Sequence, residues 1–196
     1  ASCRKRSRAL CMAAESKVFV LSSRCVMVVS ANQTWQVVFP SLPISLSMLQ
    51  ALPEASLKEP YYAAALVIPA LCLWPTNREE AIQMINFLKG PQPLSKFDLQ
   101  FIADRLRGNE YVPLSYFEGA KPENGYQPQS PHTVTVSTVP TSFATEGHAQ
   151  LYLRSGGADS PRPVKLRRKP STGQWFLTEQ MLLAQIRKPT ALDPWA

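Results

Sequence analysis

Beyond Pro131 the chain changes rhythm, from a spacing that suits helices to one that suits only pleated strands. The stretches "HTVTVSTV", "HAQLYLR", "PVKLRRK" and "QWFLTE" each alternate apolar and polar residues, and a period of two is the mark of a half-buried strand. Gly156, Gly157, Asp159, Ser160 and Pro161 supply one turn and "PSTG" the next, because these residues tolerate or preset turn dihedrals. Short loops between successive strands predict an antiparallel meander of four strands. Successive side chains then sort to opposite faces. Leu151, Leu153, Val164, Leu166, Trp175 and Leu177 belong to the apolar face, and Tyr152, Arg154, Lys165, Arg167 and Phe176 to the other.

Upstream of Pro131 the sequence reads as helices. Ser45 or Ser47 can cap a short helix through Leu52, with Pro53 ending it. "PYYAAALVIPALCLW" starts on proline at a first helical position and stays apolar nearly all round, the pattern of a buried central helix, kinked at Pro69. Its apolar run, Tyr61 to Trp74, is shorter than the roughly 18 residues that a bilayer requires. "NREEAIQMINFLKG" has Asn77 as N-cap, Glu80 in the capping-box position, and Ala81, Met84, Ile85 and Leu88 as an inward stripe before Gly90. "LSKFDLQFIADRLRG" repeats the grammar with Ser95, Asp98, the stripe Leu99, Ile102 and Leu106, and Gly108. "EQMLLAQI" near the end predicts a last short helix with Leu182, Leu183 and Ile186 inward. The expected fold is one α+β domain over 39–196: a helical part (43–108), a connector (109–131) and a sheet part (132–196) with N-terminal helices packed on a four-stranded antiparallel sheet.

All 18 prolines fall from Pro40 onward, which sets the start of the chain apart. Residues 1–26 hold Arg4, Lys5, Arg6, Arg8, Lys17 and Arg24 against Glu15 alone, so most of the net charge of +7 lies there and the rest of the chain is nearly neutral. A basic start suggests a secretory signal, but Glu15, Lys17 and Arg24 interrupt every apolar run, and such a signal needs about 7 to 15 unbroken apolar residues. The expectation is that residues 1–38 are an extension outside the core, with Met27 as the native start. Cys3, Cys11, Cys25 and Cys72 show no C-x-x-C spacing, so neither zinc nor a disulfide framework is indicated. A reducing, cytoplasmic setting without membrane association follows.

The blocks "LQALPEASLKEPY", "NFLKGPQPLSKFDLQFIADR", "YVPLSYFEGAKPENGY", "LRSGGADSPRPVKLRRKPSTGQWFL" and "DPWA" resemble an uncharacterised bacterial family known only as a domain of unknown function. The resemblance runs from about Phe39 to Ala196. It implies kinship, and it carries no reaction, cofactor or binding residue.

Chemistry is sparse. His132 and His148 are the only histidines, each at a strand start, and neither has a metal-ligand spacing. No nucleophile elbow, P-loop or dinucleotide fingerprint occurs, and "SGGADS" reads as a hairpin loop. Glu79, Glu80, Asp98 and Asp104 are accounted for as helix caps and solvated faces. No cofactor or metal is expected. Two regions could bind. The first is the face holding Tyr152, Arg154, Lys165, Arg167 and Phe176, where rings interleaved with cations could stack single-stranded bases and hold phosphates, or simply pair across strands. The second is the connector, whose Tyr111, Tyr116, Phe117 and Tyr126 could line a binding loop or pin it to the core. Trp195 could tuck onto the body or mark a partner contact. The sequence therefore predicts a small binding or interaction module without catalysis, its partner a protein or small ligand. The alternatives are single-stranded nucleic-acid binding through the sheet face and an enzyme with a pocket between connector and sheet.

Overall fold

The residues "TWQVVF" begin in alternation, broken at Val38, and contain no proline to interrupt a ladder. In the computed structural model, which describes residues 32–195, they form strand β1 (Thr34–Phe39). It pairs antiparallel with β2 (His132–Ser137) over its whole length, from Thr34 opposite Ser137 to Phe39 opposite His132. The sheet continues through β3 (His148–Leu153), β4 (Arg162–Arg168) and β5 (Trp175–Gln180) in chain order. It therefore has five strands, one more than the period after Pro131 predicts. The extra one takes in residues 34–38, which composition had set apart, and buries Val37 and Phe39 in the core. The absence of proline marks a change of composition, whereas alternation marks burial. The reading of residues 1–26 and of Met27 as a start lies outside the described residues.

The alternation sorts side chains as the sequence requires. Leu151, Leu153, Val164, Leu166 and Leu177 are buried while Lys165 and Arg167 are exposed. Against the apolar face lies α2 (Pro60–Cys72), buried continuously from Ala63 to Leu71. The indole of Trp35 stacks on Tyr61 with centroids 4.9 Å apart, tying β1 to this helix. On α2 packs α3 (Arg78–Lys89), and on α3 in turn α1 (Leu46–Gln50). Asn77 caps α3 by accepting from the Glu80 N–H at 3.2 Å, and the stripe Ala81, Met84, Ile85 and Leu88 is buried. The Glu80 carboxylate reaches elsewhere, accepting from the Leu46 N–H at 2.7 Å and so satisfying the first turn of α1 from a neighbouring helix. The helix α4 (Lys96–Leu106) carries the full reciprocal cap of Ser95 and Asp98, which holds the Asp98 carboxyl below its ordinary range through the Ser95 N–H. It buries Ile102 and Leu106.

The β2 and β3 strands pair only at Val136–Leu153 and Ser137–Tyr152 and then diverge. The connector fills the fork: Phe117 bridges to Val134, and the Glu118 N–H donates to Thr133 at 2.9 Å. It includes one short helix, α5 (Tyr111–Leu114). On the far side of the fork the loop after β2 takes over, the Gln150 N–H donating to Ser142 at 2.8 Å.

Residues 179–186 are not helical. The strand β5 runs to Gln180, Gln185 adopts a left-handed φ of 55°, and only Thr190–Leu192 form a single 3-10 turn. The reason lies in where the carbonyls of this segment go. The Tyr116 hydroxyl donates to Leu182 at 2.7 Å, the Arg162 guanidinium to Ala184 at 3.2 Å and Gln185 at 2.8 Å, and the Tyr126 hydroxyl to Arg187 at 2.7 Å. Side-chain donors from elsewhere in the fold replace the i to i−4 ladder, so the local preference is overridden. Leu182 and Leu183 are buried nonetheless.

Candidate functional site

The five residues of the sheet face do not act as one surface. Lys165 is paired with Glu179 at 2.7 Å, so its charge is balanced locally. Tyr152 is half-buried, and its hydroxyl accepts from Gln150 at 2.6 Å. Phe176 closes on Gly90 at the end of α3, so tightly that a Cβ at Gly90 would collide with the ring, which commits the ring to the helical layer. Arg154 and Arg167 remain exposed and outside any ion pair among the described residues. Arg154 instead borders a hollow of about 170 Å³ that also takes in Tyr116, Phe117, Glu118 and Lys121. This is the junction of connector and sheet. Its one carboxylate, Glu118, accepts from Gln36 at 2.8 Å and Thr135 at 3.3 Å.

The connector rings pack into the body of the domain. Tyr116, Phe117 and Tyr126 are buried, and Tyr111 stacks on Tyr126 at 5.4 Å. Burial raises the Tyr111 and Tyr116 phenols and pushes Tyr126 up to about 12, so they stay protonated as hydrogen-bond donors. Phe117 meets the edge of the His132 ring at 5.1 Å, and His148 is exposed beside the Glu146 carbonyl. The loop "SGGADS" joins this assembly. A Cβ at Gly156 would strike the Ala120 carbonyl oxygen and one at Gly157 the Tyr126 hydroxyl, so the glycines are there for close approach. Burial pushes the Cys72 thiol up to about 12, so it packs as an inert small hydrophobe. Among the described residues no three of His, Cys, Asp and Glu converge as metal ligands, and no helix is long and apolar enough to cross a membrane.

A further concavity lies where the sequence offers no motif. Because β5 is an edge strand and α4 stands off from it, a groove of about 320 Å³ runs between them, at the lower end of the roughly 300 to 1,000 Å³ usual for ligand pockets. Val67, Leu71 and Ile85 form its floor, Leu94, Phe97, Phe101 and Ile102 one wall, and Leu177 to Met181 the other. Phe97 is 77 % exposed and Met181 51 % exposed at its lips. Large apolar side chains left in water around a concavity mark interaction sites more often than scattered ones do. The strand wall also offers main-chain groups. The Met181 N–H crosses to Pro163 at 3.1 Å, so by the alternation of an antiparallel pair Gln180 turns its own N–H and C=O away from β4. Thr178 is the extra residue of a bulge between Leu177 and Glu179, and its carbonyl accepts from the Lys89 ammonium at 3.5 Å. Sequence reasoning missed this site because four separate segments build it. The one legible signal is Phe97, an aromatic residue off the inward stripe of its helix.

The fold and groove thus define a two-layer α+β protein with an open sheet edge beside a helix. A family model described as a domain of unknown function (DUF6935) matches residues 41–190, and the chain belongs to that family. No curated protein and no solved structure matches it.

Proposed function

We propose that this protein is a binding module without catalysis, and that it binds through the groove between α4 and β5. The observation that carries this reading is the groove itself, apolar in its floor and helix wall, with Phe97 and Met181 held in water at its lips. The acids at its rim already have structural work: Asp98 caps α4 and Glu179 balances Lys165. Neither is left free to act as a base. A reducing, cytoplasmic setting accords with Cys72 as a free thiol.

A naphthalene-sulfonate dye reports on such a surface. The expected result is saturable one-site binding to the native protein, weakened at least tenfold in a Phe97→Asp, Met181→Asp double variant, since each change puts a charge where the dye would lie. Both residues are largely exposed, so the fold should survive, as circular dichroism would show. Equal dye affinity in the variant would overturn the reading.

A second reading rests on Arg167, Arg168 and Lys169, consecutive, exposed, and in no ion pair among the described residues. A polyanion held there and at Arg154 would show affinity for mixed single-stranded oligonucleotides that falls steeply with salt. Arg154→Ala with Arg167→Ala should then flatten the slope by about two charges. With Phe176 committed to Gly90, stacking contributes little, so binding at low salt should be weak and indifferent to sequence. No binding even at low salt would dismiss this alternative.

A further inference from the structure

Resting on the groove reading above, we infer that the occupant is an extended peptide segment with an acidic residue beside apolar ones, which adds to β5 as a sixth strand. The strand wall has what such a partner needs. Gln180 presents both main-chain groups away from β4, and the Thr178 carbonyl, at the bulge, accepts the long Lys89 contact. A small apolar molecule would leave these groups facing a dry cleft, whereas an added strand satisfies them and places alternate side chains over Val67, Leu71 and Ile85. Proteins usually block an open edge with a twist, a proline or a charge. Here the edge is covered at its start, where the Trp175 N–H donates to Leu57 at 2.8 Å, and is guarded beyond that by the bulge at Thr178, the charge of Glu179 balanced by Lys165 and the reach of Lys89, which can swing aside on its flexible stem.

Charge selects the partner further. Of the charged groups lining the groove, Asp98 is taken up by the Ser95 N–H and hydroxyl at 2.9 Å and Glu179 by Lys165 at 2.7 Å. Lys89 is in no ion pair among the described residues; it attracts Asp98 from across the groove, but that carboxylate is held by the cap of its own helix. A partner carboxylate near the Thr178 position would complement it and draw it off the strand edge.

The test pans a displayed library of random heptapeptides on the full chain, with counter-selection on the Phe97→Asp, Met181→Asp variant. A recovered peptide is then synthesised with single N-methyl groups along its length. The expected result is a roughly tenfold loss at alternate positions, where a main-chain N–H is removed from the ladder, with little change between them. Slower exchange of the Gln180 amide should accompany binding. Replacing the peptide's Glu by Gln should weaken binding about threefold, and Lys89→Gln should erase that difference. Peptides that bind without alternation or acid preference, or a groove that takes the naphthalene dye and no peptide, would overturn this inference and leave the groove reading intact. If neither dye nor peptide depends on Phe97 and Met181, both fall.

Discussion

Gly156→Ala is expected to lower the unfolding free energy by about 3 kcal/mol, the sum of overpacking and a weakened hydrogen bond. The new Cβ would collide with the main-chain oxygen of Ala120, which cannot rotate away as a side chain would. Nor can the connector retreat. Phe117 is bridged to Val134, Glu118 is bonded to Thr133 at 2.9 Å, and Gly156 itself donates to Ser115 at 2.8 Å. The Ser115 and Ser155 hydroxyls lock the same corner at 2.7 Å. Gly147→Ala separates collision from backbone strain, because Gly147 has a φ of 69° but nothing within 4 Å of its would-be Cβ. Strain alone should cost about 1 kcal/mol. Urea midpoints at constant slope measure both, and a Gly156→Ala cost no larger than that of Gly147→Ala would mean that the corner yields.

The helices were legible because their determinants are local. Asn77, Ser95 and the stripe from Ala81 to Leu88 each act within one turn or on one face, and all lie where the spacing predicts. The faces of β3 and β4 were legible for the same reason, since alternation is a property of neighbouring residues. The strand β1 was missed because the break in proline usage drew the boundary through "TWQVVF", whose alternation Val38 also breaks. The groove was not legible at all. Its floor comes from α2 and α3 and its walls from α4 and β5, and only the relative placement of distant segments brings Phe97 opposite Met181. The sheet face shows the complementary limit: alternation places Phe176 beside Arg167, and only the approach of Gly90 from another element reveals that the ring is already engaged.

The segment after β5 marks a third kind of limit, where strong local preference loses to tertiary hydrogen bonds, and it leads to the second large effect. A Tyr116→Phe, Tyr126→Phe double variant is expected to lose about 3 kcal/mol, since the first change leaves a buried carbonyl without its donor at roughly 1 to 3 kcal/mol and the second a part-buried one at the lower end of that range, and the two act on one segment, so their costs need not add. The carbonyls are those of Leu182 and Arg187, each accepting at 2.7 Å. The amides of Leu182, held by the Gln180 side chain at 2.8 Å, and of Arg187, bonded to Gly157 at 2.9 Å, should exchange faster while those of α2 do not. Alkali provides an independent check. Burial raises both phenols above their ordinary value of 10, Tyr126 to about 12, so the folded state favours their neutral form. That contribution is fully present below about pH 10, where unfolded tyrosine is still protonated, and it drains away as pH rises towards 12 because only the unfolded chain ionises there. The native protein should therefore lose stability steeply from pH 10 upward, and the double variant less steeply. Parallel pH profiles would show that these hydroxyls do not hold the C-terminal segment in place.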